Sequence, residues 1–109
     1  MSNIHSLVAD VSKVTGTEIY VQKEVEVTKK NQYNPIDFYT YSAVSEKRPE
    51  GFKIIVEGNA SNAEMPTGMQ RVVLSGKTKI EFRNVKENGR SKSYVIVKAD
   101  KVQTVKGGN

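Results

Sequence analysis

The segment from Glu18 to Thr28 alternates apolar and polar residues along its length. One side of the alternation is apolar and consists of Ile19, Val21, Val25 and Val27. Successive side chains of an extended strand point to opposite faces, so a period of two is typical of a strand with one buried face. The segment therefore predicts a long β-strand with a polar outer face.

Further segments carry strand signals and are separated by turns. They cover residues 36–44, 52–56, 71–82 and 94–105. Within the third of them, Gly76 predicts a bulge or a bend. Between the last two, Asn88-Gly89 supplies the residues that tolerate the positive φ angles of a tight hairpin turn. With the first strand, these segments predict five or six strands and no helix in the second half of the chain.

Short strands at this spacing predict an all-β domain, most simply a small closed or partly open barrel, because closure removes exposed sheet edges. The chain reads as one domain over residues 1–109, with an N-terminal extension over 1–16 and a frayed tail over 106–109. Residues 4–14 fit a short helix by their apolar spacing, yet part of this segment also alternates as a strand does. Both interpretations stay open.

Composition argues against several classes of protein. The chain has no cysteine and one histidine, which excludes disulfides and thiolate metal sites and disfavours histidine-based catalysis. Its 12 carboxylates form no recognisable catalytic motif, and no phosphate loop is present. We therefore expect neither an enzyme nor a cofactor nor a small-molecule substrate. No apolar run approaches the roughly 20 residues of a membrane span, and the start lacks a signal-peptide pattern, so a cytoplasmic protein without a membrane partner is expected.

The positive charge of the chain is unevenly distributed. The net charge is +5. Residues 1–64 carry seven Lys and Arg against nine Asp and Glu, whereas residues 65–109 carry ten against three. A basic domain of this kind is typical of nucleic-acid binding, although a modest positive charge also serves solubility.

Lysines and aromatic rings occur together between Lys29 and Tyr41. Half of the eight aromatic residues lie in this stretch, and alternation places Tyr39 and Tyr41 outward, with Ile36, Phe38 and Val44 inward. Ammonium groups neutralise phosphates and exposed rings stack on bases, so the stretch suits an unpaired nucleic-acid strand. Its alternative interpretation is a polar loop followed by a half-buried strand.

Two other basic features accompany this stretch. The predicted hairpin at 86–92 has Lys86, Arg90 and Lys92 around its turn, and Lys77, Lys79 and Arg83 form a stripe on one strand face. Arginine pairs with phosphate through two hydrogen bonds, whereas lysine mainly supplies charge. A solvated sheet face would have the same composition.

From residue 51 onward the order of features resembles the small single-stranded-DNA-binding proteins of filamentous phages. The segments that carry the resemblance are Phe52–Glu57, Met65–Val72, Lys79–Phe82, Asn88–Arg90 and Tyr94–Val102, with Thr28–Pro35 upstream as a basic wing. The resemblance implies an OB-type five-stranded barrel, a homodimer with the second hairpin near its axis, and cooperative binding of single strands during phage or plasmid DNA replication in the host cytoplasm. It also implies that Lys29, Lys30 and Tyr33 belong to the wing and that Phe52 stacks on a base, whereas alternation groups Phe52 with Ile54 and Val56 and predicts its burial.

The expected function is non-catalytic, sequence-tolerant binding of single-stranded DNA by phosphate neutralisation and stacking. The candidate binding residues are Lys29, Lys30, Tyr33, Tyr39, Tyr41, Phe52, Arg71, Lys77, Lys79, Arg83 and Arg90. Two alternatives stay open. One is a protein-interaction module of a phage or plasmid assembly that uses a face with Tyr20, Tyr39 and Tyr41. The other is an RNA-binding β-barrel, since stacking and phosphate contacts occur with either nucleic acid.

Overall fold

The computed structural model describes residues 11–33, 35–58 and 60–105. Its elements are a short helix α1 (Ser12–Thr15), strands β1 (Ile19–Thr28), β2 (Phe38–Ser45) and β3 (Phe52–Glu57), a 3₁₀ turn (Ala60–Asn62), and the long strands β4 (Gln70–Glu87) and β5 (Arg90–Thr104). Residues 4–10 and the predicted frayed tail at 106–109 lie outside the described residues. No described helix is long and apolar enough to cross a membrane.

The five strands form a closed barrel in the order β1-β2-β3-β5-β4. Neighbours pair in antiparallel fashion except β3 and β5, which are parallel. The ring closes where β1 meets β4, through three residue pairs that join 19–21 to 70–72. The predicted small all-β barrel is confirmed, with five strands rather than six.

The barrel interior contradicts the predicted orientation of β2. Tyr39 is 5 % exposed and Tyr41 is fully buried, whereas Ile36 is 48 % exposed and Phe38 is half-buried. The neighbouring strand β3 explains this orientation, because it places buried Val56 and Ile54 opposite Tyr39 and Tyr41. Residues directly opposite in a sheet share a face, so the tyrosines belong to the core and the prediction that they point outward is wrong.

Strand β1 follows its predicted alternation only in part. Ile19 and Val21 are buried, Val25 is half-buried, and Val27 is exposed. The register with β2 shifts between Val21 and Val25, where β1 carries two extra residues. Such an irregularity bends the strand, and the far end of β1 leaves the core as a result.

Gly76 forms the bulge that the sequence predicts in β4. Ser75 pairs with Lys101 and Thr78 pairs with Ala99, so β4 carries one extra residue here. Gly76 has φ of 80°, and the adjacent Lys77 amide donates to Asp100 Oδ2 at 2.9 Å. The bulge therefore depends on a residue without a side chain.

Replacing Gly76 with alanine is expected to destabilise the protein by about 1–3 kcal/mol. The new Cβ would lie 2.5 Å from Asp100 Cβ, and the positive φ is strained for any L side chain. Urea unfolding measures the change. Gly68→Ala is the matched control, because no atom lies within 4 Å of its Cβ position. Equal stability of the two variants would contradict the role given to the bulge.

The ends of β4 and β5 extend from the barrel as a two-stranded arm, defined here as residues 82–95. Asn88 and Gly89 form the tip with φ of 52° and 77°, which confirms the predicted tight turn. Within the described strands, β1 pairs with β4 only at 70–72 and β3 pairs with β5 only at 96–99. The strands of the arm therefore pair only with each other.

Candidate functional site

A row of outward side chains crosses four strands of the barrel at one level. Pairing places Thr40 of β2 beside Ile55, Ile55 beside Lys98, and Lys98 beside Lys79. Their chain neighbours on β3 and β5, among them Ile54 and Val97, are buried. Because side chains alternate between faces, the row belongs to the outer surface. Two lysines from adjacent strands thus stand side by side next to an apolar residue.

This row borders a groove of about 450 Å³, called the basic groove below. Its cationic side chains are Lys77, Lys79 and Lys98, and its apolar ones are Ile36 and Ile55. The bulge at Gly76 brings Lys77 into the lining, because one extra residue re-aims the strand at this point. Predicted Lys77 and Lys79 are therefore brought together, with Lys98 added from β5.

Two carboxylates, Glu57 and Asp100, also line the basic groove. Asp100 accepts the Lys77 amide, so one of its oxygens is committed to the bulge. The lining of the groove thus carries three cationic side chains against two carboxylates, a net positive charge.

The excess positive charge of the chain lies in the two long strands that contribute the lysines of this groove. Residues 77–101 carry eight Lys and Arg and three Asp and Glu, a net of +5 that equals the net charge of the protein. The other residues balance nine against nine. The basic half of the sequence thus corresponds to one pair of strands, β4 and β5.

One face of the arm continues the basic surface away from the groove. Arg83 lies directly opposite Tyr94, and Lys92 and Arg90 follow at alternate positions of β5 toward the tip. All four are exposed. Three cations and one aromatic ring therefore share a face of the arm, called the basic arm face below.

The loop between β1 and β2 lies at the other end of the basic groove. Asp37 organises it: one carboxylate oxygen accepts the Lys30 amide at 2.7 Å, and the other lies 3.7 Å from Lys29 Nζ. The Asp37 carbonyl accepts the Gly58 amide at 2.8 Å, which ties the loop to the end of β3. Ile36 of this loop reaches the groove, while Tyr33 is 82 % exposed. The predicted wing residues thus belong to the loop that contributes Ile36 to the groove.

Tyr39, Tyr41 and Phe52 are not part of this surface. Phe52 is buried, as its alternation with Ile54 predicts, so the stacking role implied by the resemblance is wrong for it. The Tyr41 hydroxyl donates to the Glu64 carbonyl at 3.0 Å, and burial raises the pKa of Tyr41 above its ordinary value, with the Glu64 charge adding to the effect. A buried ring has no free face for a base, so these three residues stabilise the barrel instead.

Arg71 lies apart from the other predicted cations. It is exposed on β4 opposite Tyr20 of β1, at the closure of the barrel. Arg83 and Arg90, in contrast, lie on the basic arm face. The structure therefore places Lys77 and Lys79 in the basic groove and Arg83 and Arg90 on the basic arm face, whereas Arg71 belongs to neither surface.

Sequence reasoning missed Lys98 and did not select Lys92 and Tyr94 as binding residues. Lys98 lies between Val97 and Ala99, both buried, so alternation along β5 already indicates that it points outward. That signal becomes informative only with the pairing of Lys98 and Lys79, which joins distant parts of the sequence.

The arrangement suits electrostatic and stacking contacts. In the part of the chain that the structure describes, no cluster of three or more His, Cys, Asp or Glu is placed to hold a metal ion. Cations on two adjacent strands, an apolar patch and exposed tyrosines match the parts that unpaired nucleic acid engages. Comparison of the chain with protein-family models, with curated proteins and with solved structures found no match.

Proposed function

We propose that this protein binds single-stranded DNA without catalysis and with little sequence preference. The observation that carries the proposal is the basic groove with its three lysines, continuous with the basic arm face. A strand of nucleic acid presents regularly spaced phosphates. An extended row of cations can neutralise several of them at once, whereas a compact anion contacts only part of the row.

The groove supports both halves of a nucleotide contact. Lys77, Lys79 and Lys98 neutralise phosphates, while Ile36 and Ile55 offer an apolar surface to sugar or base. The exposed ring of Tyr33 stands on the loop beside this groove. Stacking on a ring accepts every base, so these contacts confer affinity without a sequence code.

The basic arm face extends the path of the strand. Arg83, Arg90 and Lys92 supply further phosphate contacts, and Tyr94 supplies a second ring. An arginine among them pairs with a phosphate through two hydrogen bonds and fixes its position. The strand therefore runs from the loop at Tyr33 past the groove toward the arm.

The biological setting of the proposal comes from the resemblance to the filamentous-phage proteins. We place the activity in phage or plasmid DNA replication, in the host cytoplasm, with a homodimer as the binding unit. The structure bears on the alternative of a protein-interaction module in one respect. Two of the three tyrosines of its proposed surface, Tyr39 and Tyr41, are buried.

Fluorescence-anisotropy titration of labelled oligo-dT, in rising salt and against duplex DNA of equal length, tests the proposal. We expect tight binding that prefers the single strand and weakens steeply with salt, with a log–log slope of roughly 0.7 per phosphate. No binding at low salt would refute it. Competition by a matched RNA oligomer separates DNA from RNA binding, because the 2′-hydroxyl is the group that distinguishes them.

Replacing Tyr33 with alanine is expected to weaken oligo-dT binding by about 1–3 kcal/mol, since one stacking platform is lost. The exposed ring makes little contact with the fold, so the unfolding midpoint is expected to stay unchanged. Tyr20→Ala removes a partly exposed ring from β1, opposite Arg71, and serves as the control. Equal losses in both variants would show that Tyr33 holds no special place in the site.

A further inference from the structure

Glu81 lies within the basic surface, between the basic groove and the arm. It is two residues from Lys79 and two from Arg83, on the strand face that carries both. Its pairing partner across the sheet is Ile96, and Lys53 pairs with Ile96 from the other side. A carboxylate at this position stands where the path of a bound strand would bring phosphates.

Both carboxylate oxygens of Glu81 are engaged by cations of that surface. Arg83 Nη2 donates to Oε1 at 3.3 Å, and Lys98 Nζ lies 3.3 Å from Oε2. The Glu81 side chain is 19 % exposed, much less than that of Arg83 at 59 % or Lys98 at 36 %. The carboxylate is thus covered by two cations that still face solvent.

Such a group resembles a phosphate in charge and in its hydrogen-bond acceptors. A phosphate that approaches Lys98 or Arg83 has to replace one of these contacts or share the cation with Glu81. Exposed ion pairs contribute little free energy, so displacement by a phosphate is feasible. Glu81 consequently weakens binding without preventing it.

Resting on the single-strand-binding function proposed above, we propose that Glu81 is an internal competitor for phosphate that holds down the affinity of this surface. At the junction of groove and arm, the Glu81 carboxylate competes with a phosphate of the ligand for the same cations. The lower affinity allows a bound strand to dissociate and exchange. In the opposite role, Glu81 would be a positioning residue that orients Lys98 and Arg83 toward the ligand. Removing its charge would then weaken binding instead of strengthening it.

Glu81→Gln tests the proposal, with labelled oligo-dT as probe over a salt series. We expect a log–log slope steeper by roughly 0.7–1.4 because one or two cations are released, and therefore about five- to twenty-fivefold tighter binding at 0.1 M salt. Glu24→Gln is the matched control, since Glu24 is an exposed carboxylate on β1 and its loss changes the net charge equally. The control is expected to change affinity by less than about twofold.

The outcomes distinguish a failure of this inference from a failure of the proposed function. If the wild type binds with strong salt dependence and Glu81→Gln binds equally or more weakly, the competitor role is overturned and the function stands. If only Glu81→Gln binds, the competitor role is supported in its strongest form and the wild-type function is refuted. If neither binds, both fail. Thermal unfolding checks the fold, and Glu81→Met, which also removes the charge, replaces the variant if Glu81→Gln is unfolded.

Discussion

Changing Lys77, Lys79 and Lys98 together to glutamine is expected to reduce affinity for oligo-dT about a hundredfold at 0.1 M salt. Three lost phosphate contacts at about 0.7 each lower the log–log salt slope by roughly 2, which corresponds to about two decades in binding at that salt. Because the three side chains line an outer groove, the barrel core is untouched. Replacing Lys98 removes like-charge repulsion with Lys79, its direct partner across the strands, and also removes the ion pair with Glu81.

The control for this triple variant is a second triple with the same loss of charge. Lys13, Lys23 and Lys47 are exposed and lie outside the basic groove, on α1, on β1 and after β2. Replacing them with glutamine is expected to change the slope by much less. If both triples lose affinity equally, binding follows net charge alone and the groove has no special role.

Replacing Tyr41 with alanine is expected to destabilise the protein by about 3–5 kcal/mol, the usual cost of removing a large buried aromatic ring. The change leaves a cavity and removes the hydrogen bond to the Glu64 carbonyl. For a small domain this is a large share of a total stability of roughly 5–15 kcal/mol. The urea unfolding midpoint, together with the slope of the transition, measures it.

Two further variants define the origin of that loss. Tyr41→Phe keeps the ring and is expected to lose only about 0.5–1.5 kcal/mol, the contribution of one hydrogen bond. Tyr33→Ala is expected to change stability by less than about 0.5 kcal/mol, since its ring is exposed. If the Tyr41→Ala protein is as stable as the wild type but impaired in binding, then Tyr41 faces the surface and the core assignment is wrong.

The strands and turns of this barrel were predictable because they depend on local patterns. A period of two identifies β1, Asn88-Gly89 identifies the tip of the arm, and Gly76 identifies the bulge. Each signal acts within a few residues and requires no knowledge of a partner strand. Local chemistry therefore determined the elements and the class of fold.

The orientation of β2 was not predictable by the same reasoning, because tyrosine suits either face of a sheet. The outcome depends on the register with β3, which sets Tyr41 opposite Ile54. Thr40 and Ser42 alternate with the tyrosines, and their polarity was the available signal for an inward Tyr41. Aromatic residues beside lysines favoured the opposite interpretation.

The candidate site was predictable in its charges but not in its assembly. Lys77 and Lys79 follow from the stripe on one strand, whereas Lys98 and Ile36 join them only through strand pairing and the fold of the β1–β2 loop. Contacts of this kind link distant positions of the chain. These contacts form only when the strands pair in the closed barrel.

That closure has a consequence for the order of folding. Strands β1 and β4 meet through three residue pairs, and Ile19 pairs with Val72, 53 positions away. The strands of the arm join across the two-residue turn between Glu87 and Arg90. Closing a long loop costs more entropy than closing a short one, so we expect the hairpin to form early and the three-pair junction to form last. Until it forms, the edges of β1 and β4 are open to strands of other chains, and the newly made protein is most prone to aggregation in that interval.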